Sequence, residues 1–159
     1  MKILLAVDLA DSQHRLIAET IRTATAFNAK VCLLHVTEVQ ASLVGYEAFY
    51  DEGFANFPDP KLIRDGMADR FRREHAELHA ISQTLQAGGV SCFGILVHAS
   101  LNAVDTILEQ AEKHEVDLII LGTHNKGVFT RLLVGSTSTG VLQKTRTPVL
   151  VVPIGPEAG

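Results

Sequence analysis

The sequence predicts a single α/β domain built on a parallel sheet, and three observations carry that prediction. Short aliphatic runs alternate along the chain with longer segments of helical spacing. The runs are continuously apolar, as strands covered on both faces are, and lack the polar alternation of a half-exposed strand. The length of 159 residues, with 47% hydrophobic and 20% charged side chains, suits one core. Such a chain buries about 70% of its unfolded surface, which excludes disorder and fibrous structure.

The elements follow in order. The runs Ile3 to Val7, Val31 to Val36, Leu118 to Leu121 and Pro148 to Val152 are predicted as strands, and Val90 to Val97, after Gly88 and Gly89, as a weaker strand nearer an edge. Asp11 and Ser12 offer an N-cap, after which Leu16, Ile17, Ile21, Ala24 and Phe27 recur at helical spacing. A second helix is expected from about residue 60 to 87, through Ile63, Met67, Phe71, Leu78, Ile81 and Leu85, stopping at the glycine pair. A third runs from Asn102 through Ile107, Leu108 and Ala111, and a short fourth from about Ser136 to Thr145. Between residues 37 and 60 the rhythm breaks. Two glycines, two prolines and five aromatics (Tyr46, Phe49, Tyr50, Phe54, Phe57) mark a long excursion, either a functional surface or a partly ordered flap. The whole of 1–159 reads as one domain.

Fourteen Lys and Arg against eighteen Asp and Glu give a net charge of −4 without any basic block, so the footprint of a nucleic-acid binder is missing. Cys32 and Cys92 lie in apolar runs and are too few for a disulfide framework, which points to a reducing cytoplasm. The apolar run from Ile3 stops at Asp8, too short for a secretory or spanning segment, so no membrane partner is expected.

The chemistry concentrates after the Leu118 strand: Gly122, Thr123, His124, Asn125, Lys126 and Gly127, then Arg131, then Gly135, Ser136, Thr137 and Ser138 opening the last helix. Gly and Asn tolerate positive φ and can turn backbone N–H groups toward an anion, and a helix N-terminus adds unpaired donors and a positive dipole end. The hydroxyls add donors, while Lys126 and Arg131 can neutralise charge. The plainer alternative leaves Gly122 and Gly127 shaping a turn and Ser136 capping a helix. Ligands of open α/β sheets settle beyond the carboxyl ends of strands, where Asp8 also lies. That acid could accept from an adenine amino group or a ribose hydroxyl, hold a metal-bound water, or merely cap the first helix beside Asp11.

The run from Asp117 to Gly127, followed by Arg131 to Ser136 and closing with Thr147 to Pro153, resembles the universal stress protein family. Ile3 to Asp8 is similar to its first strand and acid, and Leu33 to Val36 to its second strand. The resemblance implies one open, doubly wound sheet of five parallel strands in the order 3-2-1-4-5 with helices on both faces. It also implies a homodimer through the last strand, Val149 to Val152. The nucleotide-binding branch of the family has a glycine, two residues, a glycine, nine residues, then glycine and Ser or Thr. Here Gly122 and the Gly135-Ser136 pair keep that spacing, but Asn125 stands at the second glycine. Asparagine is the side chain best suited to positive φ, at roughly 1 kcal/mol. Family members often have a glycine in the turn after the third strand, where this chain has His98, Ala99, Ser100 and Leu101.

By resemblance, Asp8 and Val36 flank an adenine, while Gly122, Asn125, Gly135, Ser136 and Thr137 surround ribose and phosphates of ATP, alone or with Mg. Ser138, His124 and Lys126 are added from local chemistry. The function expected is a stress-response dimer that signals through ATP occupancy. The alternative is a dimeric interaction module of the same family without nucleotide, and the third is a slow ATPase using a divalent ion near Asp8. No nucleophile motif and no phosphate-loop ending in Gly-Lys-Ser/Thr is present.

Other signals read as structure. His75 and His79 share a helix face, but the order His-Ala-Glu-Leu-His lacks the metalloprotease pattern. His35 reads as a satisfied histidine near a strand end. Arg64, Arg70, Arg72 and Arg73, mixed with Asp65, Asp69, Glu74 and Glu77, read as a solvated helix face.

Overall fold

The computed structural model describes residues 1–9, 13–37, 60–98, 102–123 and 136–154, with main chain only at 60–64 and 98. In chain order these form β1 (Lys2–Val7), α1 (His14–Ala26), β2 (Lys30–Thr37), α2 (Pro60–Ala87), β3 (Cys92–His98), α3 (Ala103–Lys113), β4 (Leu118–Thr123), α4 (Ser136–Lys144) and β5 (Val149–Pro153). The strands make one parallel sheet in the order β3-β2-β1-β4-β5, as the resemblance implies. Among the described residues no helix is long and apolar enough to cross a membrane. The excursion falls, from 38 to 59, outside the described residues.

The continuous apolarity of the central strands has its cause in two cores. Ile3, Leu5, Leu33 and Ile120 pack on one face with Leu16 of α1 and Leu78 and Leu85 of α2. Leu4, Leu34, Ile119 and Leu121 pack on the other with Ile107 and Ala111 of α3 and Val141 of α4. The α3–α4 contact is close at Gly140, where a Cβ would meet Val104 Cγ2 at 2.7 Å. β3 lies at the sheet edge, as its weaker apolarity predicts, with Phe93 and Gly94 exposed.

Three expectations need correction. The N-cap of α1 is Gln13, whose side chain makes no capping bond, and Asp11 and Ser12 lie outside the described residues. The stripe of α2 is buried only in its second half: Leu78 and Leu85 are core, while Met67 and Phe71 are exposed. At 28 residues α2 is about 42 Å long, against about 23 Å for the seven residues of β3, so its first half extends past the sheet.

Glu74 is the third correction, because it is not part of a solvated face. Its side chain is 13% exposed and accepts from Thr37 Oγ1 and Arg70 Nε, each at 2.7 Å. Burial alone would push its carboxyl up. The bonds from Thr37 and Arg70, with the Arg70 charge, outweigh burial and hold it below the ordinary glutamate value. Beside it, buried His35 presents Nε2 at 3.9 Å from Glu74 Oε1 and donates from Nδ1 to the Val7 carbonyl at 2.8 Å. A carbonyl can only accept, so Nδ1 carries the proton. His35 is thus a satisfied histidine near a strand end, as read from the sequence.

Candidate functional site at the parting of β1 and β4

β1 and β4 pair in register up to Ala6 and Leu121. Beyond that point β1 leads toward α1 on one face, while the chain after β4 returns as α4 on the other. This is the topological switch point of the sheet, where a crevice must open. A cleft of about 280 Å³ lies there. Its floor is apolar, made by Ala6, Leu34, Val36 and Leu121, with Ile107 from α3 and Leu16 and Ile154 from the opposite core.

Polar groups ring this floor. Asp8 lines it from the end of β1, and Ser136, Thr137 and Ser138 line it from the first turn of α4. Ala103 brings the first turn of α3 to the same edge. The first backbone N–H groups of a helix have no partner within it, so two positive helix ends face the cleft. α3 is held there by its cap. Asn102 Oδ1 accepts from the Asp105 N–H at 2.9 Å, and Asp105 accepts from Asn102 Nδ2 and Lys144 Nζ, each at 2.7 Å. The Lys144 bond first, then the Asn102 bond, holds the Asp105 carboxyl below its ordinary value.

Of the residues singled out from the sequence, the cleft therefore gathers Asp8, Val36, Gly122, Ser136, Thr137 and Ser138. His124, Asn125, Lys126 and Gly135 lie outside the described residues, as do Gly127, Arg131 and Leu101.

Two of the gathered residues work differently from expectation. Gly122 belongs to β4 and does not have positive φ; among the described glycines only Gly89 does. Its lack of a side chain answers crowding instead, since a Cβ there would lie 2.7 Å from Ile154 Cδ1 and 3.4 Å from Leu16 Cδ2. Buried Ser138 donates its hydroxyl proton to the Gly122 carbonyl at 3.0 Å. It ties α4 to the end of β4, while Ser136, which is exposed, and half-buried Thr137 also line the cleft.

Sequence reasoning missed Gln13. Its Nε2 donates to Asp8 Oδ1 at 2.7 Å, so Asp8 engages a side chain at the start of α1. The readable signal was a glutamine one turn ahead of Leu16, on the stripe that continues through Thr20 and Ala24 on the buried face of the helix.

The profile of the Universal stress protein family matches residues 1–153. Universal stress protein MJ0531 of Methanocaldococcus jannaschii is 28% identical over 151 residues, covering 95% of this chain and 81% of that protein. Universal stress protein A of Escherichia coli K12 is 24% identical over 155 residues, covering 98% and 95% of the two. Among solved structures, hypothetical protein MJ0577 matches with a TM-score of 0.71 at 24% identity, over 96% of this chain and 94% of that one. A universal stress protein in complex with cAMP matches with a TM-score of 0.64 at 19% identity over 97% of both chains. These structures share the fold described above. With the profile spanning nearly its whole length, the chain belongs to the universal stress protein family.

Proposed function

We propose that the chain binds an adenine nucleotide, ATP, in the cleft between β1 and β4 and acts as a nucleotide-dependent regulatory homodimer in the cytoplasm. The carrying observation is the cleft itself, which joins an apolar floor at Val36 and Leu34, a carboxylate at Asp8 and the hydroxyl-bearing N-terminus of α4. The floor suits a base, Asp8 suits an amino or hydroxyl donor, and the helix end suits phosphate. Its volume sits near the lower end of small-molecule sites, roughly 300–1,000 Å³, which suits a nucleoside with its phosphates outside the floor. Two proteins of the same fold are known as complexes with adenine nucleotides, one with cAMP and one, from Archaeoglobus fulgidus, with dAMP.

Binding rests on backbone donors and shape, with Asn125, Gly135, His124 and Lys126 completing the phosphate end. Asp8 is the one carboxylate lining the cleft among the described residues. Mg would therefore arrive on the phosphates with its waters, without a cage of protein ligands. The dimer forms through the edge strand β5, Val149 to Val152, and occupancy of the cleft is the signal.

Chromatography of the denatured, purified protein tests for carried nucleotide, and calorimetry with ATP measures affinity. Asp8→Asn is expected to weaken ATP binding while leaving the dimer intact. No carried nucleotide and no heat at millimolar ATP would refute the reading and leave an interaction module without nucleotide.

A further inference from the structure

Gln13 stands out as a buried amide that no structural need explains. It is 5% exposed, yet its Oε1 has no hydrogen-bond partner among the described residues. A half-satisfied amide in the interior is destabilising relative to an apolar side chain of the same size. Gln13 also occupies the N-cap of α1 without capping it, at φ −93° and ψ 0°. Among the described residues its side chain bonds to Asp8, at the length of a charge-assisted hydrogen bond. The orientation is dictated by charge: Nε2 faces the carboxylate because Oε1 would be repelled by it.

The backbone around Asp8 is unusual in the same sense. Leu9 adopts φ 57°, a left-handed conformation that branched, bulky side chains rarely take. The preceding carbonyl, of Val7, is pinned by His35. The turn that carries Asp8 is thus held in a strained shape from below, and one oxygen of its carboxylate is held from the side. Backbone strain at Leu9 and an unsatisfied amide at Gln13 both adjoin Asp8, which lines the cleft, and such features beside a site residue are the marks of preorganisation.

We propose that Gln13 is the positioning residue that sets base preference in the nucleotide cleft, by fixing the Asp8 carboxylate as an acceptor toward the base. The inference rests on the nucleotide reading above. An ionised carboxylate only accepts, so it favours a purine with an amino group at C6 and repels one with a carbonyl there. That preference requires a fixed carboxylate, because one free to rotate turns away from the carbonyl and lets water intervene. Gln13 restrains that rotation by its bond to Oδ1.

ATP and inosine triphosphate differ by that one group, so calorimetry with both, on the full chain, is the test. Gln13→Met keeps the volume and deletes both amide atoms. It is expected to melt at the same temperature or higher, to bind ATP about tenfold more weakly, and to lose about tenfold of the preference for ATP over inosine triphosphate. Gln13→Glu, which sets an acceptor against Asp8, is expected to weaken ATP binding at least as much. In an Asp8→Asn background, Gln13→Met is expected to change neither affinity nor preference.

Unchanged affinity and preference in Gln13→Met would overturn the assignment while leaving the nucleotide reading standing. So would an equal loss with and without Asp8, or a loss that tracks a fall in melting temperature. Absence of binding by the unaltered protein would overturn the nucleotide reading, and this assignment with it.

Discussion

Gly122→Ala separates two reasons for having a glycine at the end of β4. The added Cβ would fall 2.7 Å from Ile154 Cδ1, 3.3 Å from Ile154 Cγ1 and 3.4 Å from Leu16 Cδ2. Leu16 and Ile154 are 1% and 4% exposed, so apart from the cleft whose floor they help form neither has open space to retreat into. Overpacking of this kind typically costs 1–3 kcal/mol, and we expect about 2 kcal/mol here. For a chain of this length that lowers the melting temperature by about 4–8 °C. Ile154→Val deletes the atom in closest conflict and by itself costs about 1 kcal/mol.

The double variant is therefore expected to be about as stable as Ile154→Val alone, giving a coupling of about 2 kcal/mol in urea denaturation. Calorimetry with ATP on the double variant then isolates the second reason. Retained affinity means the glycine serves packing, while lost affinity means a ligand needs the backbone bare. Wild-type stability in Gly122→Ala, or no rescue by Ile154→Val, would refute the packing argument.

Two further outcomes follow from buried ionisable groups. The carboxyl of Glu74 titrates below its ordinary value of 4.5 when folded, so the unfolded chain takes up the proton first; the stabilisation is present above that value and disappears as pH falls through the lowered folded one. Glu74→Gln is expected to melt lower at pH 7 and to lose less on acidification, and acid limbs that superimpose on the wild type in a melting series would contradict this. The Cys32 thiol is pushed up from 9.0 to about 11, by burial first and the neighbouring Cys92 second. At pH 8 this leaves about 100-fold less thiolate than in the unfolded chain, so iodoacetamide should label Cys32 that much more slowly in the native protein, and labelling at the unfolded rate, read by mass spectrometry of its peptide, would be inconsistent with the buried site.

The elements legible in the sequence are those whose signal is local. Ile3 to Val7 and Leu118 to Leu121 read as buried strands because both faces of each are covered, and that shows as unbroken apolarity. Asn102 reads as a helix start because a cap acts within three residues. What the sequence hides are contacts between distant positions. The need for glycine at 122 comes from Ile154, the burial of Glu74 from Thr37 and His35, and the exposure of Met67 from the sheet ending before α2 does. A periodic stripe shows which face of a helix is apolar, but not how far its neighbour extends.

The site was half legible for a related reason. Motif spacing identified the α4 end of the cleft, since Ser136 and Thr137 open a helix next to a strand end. The β1 end has no motif, and its geometry depends on which strands are neighbours. Once β1 and β4 are adjacent, Asp8 must lie across a crevice from α4, because the ladder ends at Ala6 and Leu121 and the two chains leave to opposite faces. One consequence follows for ligand recognition. The hydroxyls proposed to face phosphate open α4, packed with α3, while Gln13, proposed to position Asp8, opens α1, packed with α2 in the other core. A nucleotide in the cleft would bridge those two layers. That is the physical basis on which occupancy of this cleft could be sensed elsewhere on the protein.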